Sequence, residues 1–308
     1  MGKLIAIPVR LIIALLQALP LDAVARLGRG GGWLAWHLDR RHRRVALHNL
    51  AAAFPEKSAP EIRAIARENF LRLGENYCCA IKTAGMTDEE IVKVLEIPSL
   101  GGMAGLRPEQ GCVGAVGHFG NFEIYARARI LLPGRRVATT FRGLPQPELN
   151  EILLSLRRRS GVLFFDRRTD AAELKAMMRG GGVILGLLAD QHAGNRGLRL
   201  PFLGRECSCS AAPALFALRY DCPLTVAICF RTALGRWRIE FSERIATHEG
   251  GVARSVEAIT TEINAAFERA IRRDPANWFW VHNRWKPVRL KAPAATPVPE
   301  PSEVEEGM

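Results

Sequence analysis

Acidic side chains are in short supply in this chain: 31 Asp and Glu stand against 43 Lys and Arg, leaving a formal net charge of +12 over 308 residues. That imbalance implies an anionic partner, whether nucleic acid, a membrane surface, an acidic protein or a phosphorylated substrate. Zinc-finger spacing, an RNA-recognition signature and a basic-zipper heptad are all missing, so nucleic acid is the partner the sequence argues against. The seven cysteines include the adjacent Cys78-Cys79 and the alternating Cys207-Ser208-Cys209, but no spaced pairs suited to a metal. An odd count without a framework excludes a secreted disulfide scaffold and reads as reduced thiols facing the cytoplasm. Cys112 reads as strand core rather than a nucleophile. No cleavage-site pattern follows the apolar N-terminus, which excludes a removed signal peptide, and no internal repeat is present.

What is present begins with a nearly unbroken apolar run from Leu4 to Leu21, interrupted by Pro8, Arg10 and Gln17. Its length approaches the roughly 20 residues that cross a bilayer, although Arg10 would be costly at the centre. The expectation is an N-terminal membrane helix, either a tilted span with Arg10 snorkelling or a helix lying in the interface. Arg26, Arg29 and the run Arg40-Arg41-His42-Arg43-Arg44 follow, with Trp33 and Trp36 between them. Tryptophan beside arginine is the composition of a membrane interface, and the positive side faces the cytoplasm. Residues 1–44 are therefore read as a membrane-associated segment with a basic flank, 45–290 as the α/β domain, and 291–308, rich in Pro, Ala and Glu, as a disordered tail.

Leu47, Leu50 and Phe54 recur at helical spacing before Pro55, and a second helix starts at Ala59-Pro60-Glu61 with Ile62, Ile65, Ala66, Phe70, Leu73 and Tyr77 as its buried stripe. From Gly111 the rhythm changes to short apolar runs alternating with helical stretches. The runs are 112–116, 137–141, 162–165, 183–188, 224–230 and 238–241. This alternation predicts an α/β fold, a central mixed and partly parallel sheet flanked by helices, with ligands at the carboxyl ends of the strands. Ser255 to Arg273 is expected as a further amphipathic helix.

The segment Gly117-His118-Phe119-Gly120-Asn121-Phe122-Glu123 follows directly on the run 112–116. It reads as a buried strand delivering a histidine into a turn at a helix N-terminus, with Gly117 and Gly120 shaping the turn and Asn121 as N-cap. His118 and Glu123 are five residues apart, which on one helix would separate them by about 140 degrees. They can cooperate only if His118 lies on the turn and Glu123 on the first turns beyond it. A carboxylate against one imidazole nitrogen frees the other to take a proton from a hydroxyl. A strand-capping histidine beside a solvated glutamate is the plainer alternative.

Arg142 closes the second run, where a phosphate, a carboxylate or an oxyanion would meet it. Arg157, Arg158 and Arg159 end a helix and Arg167 and Arg168 follow a strand, either as surface charge or as a receptor for an anionic headgroup. At Asp190-Gln191-His192 an apolar run stops at three hydrogen-bonding side chains, suited either to a substrate or to bracing the loop. Trp278 to Lys286 holds three tryptophans beside basic residues, a composition expected for packing.

The ordered set Gly117-His118-Phe119-Gly120-Asn121-Phe122-Glu123, Phe141-Arg142, Asp190-Gln191 with Gly194, Pro201-Phe202-Leu203-Gly204 and Trp280-Val281-His282-Asn283-Arg284-Trp285-Lys286 resembles the bacterial lipid A biosynthesis acyltransferases. These are the late lauroyl and myristoyl transferases, within a superfamily that includes glycerol-phosphate acyltransferases. The likeness covers about residues 4 to 287 and takes in Ala53-Phe54-Pro55-Glu56. It implies transfer of an acyl chain from acyl carrier protein or acyl-CoA to a hydroxyl of an anionic lipid at the cytoplasmic side of the bacterial inner membrane. His118 would be general base and Glu123, four intervening residues on, would orient it. Arg142, Asn121, Asp190, Gln191 and Arg158 are the substrate-binding candidates; no cofactor, metal or acyl-enzyme is implied. Three features depart from the family: Phe122 where Trp is usual, Asn283 where Arg is usual, and Cys207-Ser208-Cys209-Ser210 in a stretch usually rich in Ala and Thr. Other readings are an acyltransferase for a different membrane glycolipid, aminolipid or lysophospholipid, a non-catalytic lipid-binding protein, and a metal hydrolase built on His118, Glu123, Asp190 and His192.

Overall fold

A computed structural model describes residues 2–132 and 134–287, so the expected tail at 291–308 lies outside the described residues. Four helices come first: α1 (Gly2–Ala18), α2 (Leu21–Leu38), α3 (Arg40–Ala53) and α4 (Ala59–Gly85). Each boundary has a local cause. Pro20 separates α1 from α2, and the Asp39 side chain accepts from the His42 N–H to open α3. Pro55 follows α3, and Glu61 reaches back to the Ser58 N–H at 2.8 Å to open α4.

This segmentation corrects the expected membrane span. The apolar run from Leu4 to Leu21 is divided at Pro20, which leaves α1 with 17 residues, and no described helix is long and apolar enough to cross a membrane. Nor do the two early tryptophans share an environment. Trp33 is exposed, but Trp36 is buried between Arg43 and Arg63.

Helix α2 lies directly on α4 because glycines remove the side chains between them. A Cβ on Gly74 would sit 2.1 Å from the Gly28 carbonyl oxygen, and one on Gly32 would sit 2.2 Å from that of Phe70. Buried Glu75 of α4 closes this junction, pairing with Arg29 and Arg231 and accepting from the Gly235 N–H.

After the short α5 (Asp88–Ile91) come β1 (Leu95–Glu96), β2 (Cys112–Val116), β3 (Arg136–Phe141), α6 (Pro147–Arg158), β4 (Leu163–Asp166), α7 (Ala171–Arg179) and β5 (Val183–Leu188). The hairpin β6 (Leu198–Phe202) and β7 (Arg205–Cys209), α8 (Ala212–Arg219), β8 (Leu224–Ala233), β9 (Arg236–Phe241) and α9 (Val256–Arg273) follow, with a small antiparallel pair, His248–Glu249 and Val252–Ala253, between β9 and α9. The main sheet has seven strands in the order β1-β9-β8-β2-β5-β3-β4. Only the β8–β9 pair is antiparallel, as expected for a mixed, largely parallel sheet with helical crossovers. Beyond β2 the expected α-helix is a 3-10 segment, Phe122–Leu131. The hairpin β6–β7 was not anticipated; it turns at Leu203-Gly204, both with positive φ.

Candidate active site

Strands β2 and β5 are central neighbours, and their register pairs Val116 with Leu188. Two residues beyond that pair stand His118 and Asp190, so the sheet itself brings them side by side. His118 Nδ1 lies 2.8 Å from Asp190 Oδ1, and the His118 backbone N–H donates to Oδ2 at 2.8 Å. A third donor, the Trp278 indole N–H, also reaches Oδ2 at 2.8 Å. Asp190 is wholly buried. Burial alone would raise its pKa, but the His118 charge and hydrogen bonds, helped by Trp278, hold it below the ordinary carboxylate value.

The expected partnership of His118 with Glu123 does not form. Glu123 turns to Arg157 instead, with contacts of 2.6 and 3.2 Å. The physical reason is the tight 3-10 segment that begins at Phe122, which carries Glu123 toward α6, while Asp190 is already fixed against Nδ1 by strand pairing.

Because an ionised carboxylate can only accept, Nδ1 carries a proton, so in the neutral imidazole Nε2 is the nitrogen that holds the lone pair. That nitrogen points to a cavity of about 540 Å³, with the Gln191 amide nitrogen 3.4 Å away. Phe122 and Phe279 flank the ring, with centroids at 4.7 and 5.7 Å. Around the mouth stand Glu123, Arg142, Arg157, Arg167 and His192. The cavity then runs back along the sheet face, following the alternation Val116, Gly114 on β2 and Leu188, Gly186, Ile184 on β5, to an apolar end at Met103, Leu132, Val137 and Phe241. Gly114 and Gly186 are register partners, so the floor lacks side chains at its centre.

The turn glycines have separate causes. At Gly117 a Cβ would meet the Phe119 ring at 2.6 Å, and Gly120 adopts a φ of +51° with the Cys229 carbonyl close behind. Asn121 occupies the cap position without a capping hydrogen bond; it is buried and its amide faces Thr83 at 3.5 Å, away from the cavity. Arg158 is also outside the site, exposed and paired with Glu151. Its neighbour Arg157 is the arginine that lines the cavity, because successive helix residues face different ways.

A C-terminal strap, residues 275–285, completes the site, although the composition of Trp278 to Lys286 alone suggests packing. Asn69 donates to the carbonyls of Ala276 and Trp278, and Asn49 to those of Trp280 and His282. These amides fix the strap so that Trp278 reaches Asp190 and Phe279 faces His118. Asn49 and Asn69 gave no signal beyond being amides on buried helical faces. His282 Nε2 accepts from the His192 N–H at 3.2 Å, and burial pushes its pKa down to about 4. The described residues contain no group of three or more His, Cys, Asp or Glu that could hold a metal ion.

Two bacterial proteins share this chain's pattern across most of its length. The lipid A biosynthesis palmitoleoyltransferase of Escherichia coli (strain K12) is 24% identical over 276 residues, 87% of this chain and 86% of the relative. The lipid A biosynthesis acyltransferase of Shigella flexneri matches with the same identity and coverage. The model of the bacterial lipid A biosynthesis acyltransferase family matches residues 5–287, nearly all of the described chain. The protein therefore belongs to the bacterial lipid A biosynthesis acyltransferase family and is an acyltransferase.

Proposed function

We propose that this acyltransferase moves a fatty acyl chain from a thioester, carried on acyl carrier protein or coenzyme A, to a hydroxyl of a lipid A precursor. The observation that carries the reading is the His118–Asp190 pair at the polar mouth of a cavity whose inner end is apolar. Nε2 of His118 takes the proton of the acceptor hydroxyl as its oxygen attacks the thioester carbonyl. Asp190 holds the ring and stabilises the imidazolium that results. When the tetrahedral intermediate collapses, the C–S bond breaks and the departing sulfur receives the proton from Nε2. No covalent enzyme intermediate is needed.

Glu123, first expected to orient the base, acts in this reading through Arg157, fixing a guanidinium at the mouth. With Arg142 and Arg167 it forms a cationic rim suited to the phosphates of the acceptor and to the developing oxyanion. The apolar inner end takes the acyl chain. The net positive charge suits an acidic carrier protein and anionic lipid. Ile7, Leu11, Ile12 and Leu15 of α1 and Leu27, Trp33 and Leu34 of α2 are exposed, which supports seating in the cytoplasmic interface of the inner membrane rather than crossing it.

Lipid mass spectrometry of cells with and without the gene tests the proposal. Loss of one acyl chain from lipid A is the expected result. Intact lipid A with a change in another glycolipid, aminolipid or lysophospholipid would replace the acceptor. Failure of the purified protein to turn over any acyl thioester with lipid would favour a lipid-binding role.

A further inference from the structure

Arg284 is fully buried, its hydrogen bonds among the described residues go to no carboxylate, and its Nε has no partner. Its guanidinium lies over the Phe202 ring and donates to two backbone carbonyls, those of Gln191 and Ser208. Its remaining contact is to the Cys209 sulfur, at 3.2 Å from Nη2. Carbonyls satisfy hydrogen bonds but leave the charge uncompensated, and an isolated buried guanidinium is strongly unfavourable.

Other donors converge on that same sulfur. The Asn264 amide of α9 donates to Cys209 at 3.3 Å and to the Pro201 carbonyl at 3.2 Å, and Cys207, on the same face of β7, stands 3.6 Å away, where either thiol can donate to the other. As a thiol, Cys209 would instead donate its S–H to the Cys207 carbonyl, at the longer distance of 3.7 Å. A thiol is a weak acceptor with one weak proton, whereas a thiolate is the anion this set of donors would serve. We propose that Cys209 is a buried thiolate, the counter-ion of Arg284, and that the pair is a positioning element for the turn carrying Asp190. The connection is direct: the guanidinium that holds the sulfur also holds the carbonyl of Gln191, the residue after Asp190.

Titration behaviour agrees with the geometry. The hydrogen bond from Cys207 and the Arg284 charge outweigh burial and draw the Cys209 thiol below its ordinary value, while Cys207, as the donor, is pushed up. Burial raises all five other cysteines: Cys78, Cys79, Cys112, Cys222 and Cys229. The charged and titratable groups around the sulfur are Arg284 of the strap and Cys207 of β7, with Arg199 of β6 beyond Cys207.

The test is a pH titration of thiolate ultraviolet absorbance on the full-length protein, which does not depend on the acyl-transfer reading. One thiolate equivalent should titrate on the acid side of an ordinary cysteine and vanish in Cys209→Ser. Cys207→Ala should keep the step but move it to higher pH. Should Cys209→Ser fail to fold, the Cys207→Ala displacement still identifies the group. Absence of an acid-side step in the wild type, its survival in a folded Cys209→Ser, or an unmoved step in Cys207→Ala would overturn the proposal. The positioning role, which does rest on acyl transfer, is read from kinetics. Cys209→Ala should lower kcat by on the order of 10-fold to 100-fold with little change in KM, and Cys209→Asp, which restores the negative charge, should recover most of it. Equal activity of the Ala and Asp variants would sink the positioning role alone and leave the spectroscopic result standing.

Discussion

Replacing Asp190 with Asn separates the two carboxylates that compete for the role of orienting His118. The two oxygens of Asp190 accept three N–H groups: His118 Nδ1 on Oδ1, and the His118 backbone and Trp278 indole on Oδ2. Asparagine keeps one oxygen. Placing its NH2 at the Oδ2 position would set it against two buried donors, each orphan costing about 1–3 kcal/mol. The oxygen therefore stays there and the NH2 faces Nδ1. That nitrogen must now accept, which moves the imidazole proton to Nε2 and removes the base. An imidazole in the wrong tautomer beside a neutral amide loses on the order of 10³-fold to 10⁴-fold in kcat, equivalent to about 4–5.5 kcal/mol of barrier. Steady-state transfer from acyl carrier protein thioester to a lipid A precursor measures it, with circular dichroism confirming the fold. Glu123→Gln, which frees Arg157 instead, should act mainly by raising KM. Near-normal kcat in Asp190→Asn together with a thousandfold loss of kcat in Glu123→Gln would refute the assignment of the orienting carboxylate.

Further perturbations follow from the same geometry. At Gly186 a Cβ would meet only the Ala138 carbonyl, at 3.9 Å, so Gly186→Val should fold normally while filling the cavity floor. Competition between thioesters should then show the preferred acyl chain shortened by about two methylenes. Gly74→Leu should destabilise by about 3 kcal/mol in a denaturant melt, because its Cβ would lie 2.1 Å from the Gly28 oxygen in the α2–α4 contact. Acid should weaken the fold in two stages. His282 is kept neutral, with its pKa pushed from 6.5 to about 4 by burial, so its contribution is complete above the unfolded value and lost as pH falls between the two. Asp190, held below the carboxylate value of 3.8, adds stability that disappears only as pH falls through its lower folded value. Thermal melts across this range should decline first in the His282 window, and His282→Asn should flatten that stage.

The strand-to-turn architecture at His118 could be read from local sequence, because an apolar run, two glycines and an asparagine carry their own instructions. So could the alternating rhythm of the α/β sheet. The identity of the partner carboxylate could not, since Asp190 is 72 residues from His118 and only the adjacency of β2 and β5 brings them together. Spacing points to Glu123, but a tight 3-10 segment stands there in place of the expected α-helix. Among the three consecutive arginines, the helical phase of α6 decides which one enters the site, and it selects Arg157 over Arg158. Similarly, Trp278 read as packing because an indole N–H reveals its acceptor only in three dimensions. The apolar N-terminus has the composition of a span, but Pro20 divides the run and leaves the first helix with 17 residues.

The central claim is that the His118 imidazole accepts the proton of a lipid hydroxyl during direct attack on the thioester. Single-turnover acyl transfer by purified wild-type and His118→Ala protein, followed by mass spectrometry of the lipid product, measures it most directly. The account predicts a rate at least about 10²-fold to 10⁴-fold lower in the variant, with the fold intact. Transfer at close to the wild-type rate would contradict it.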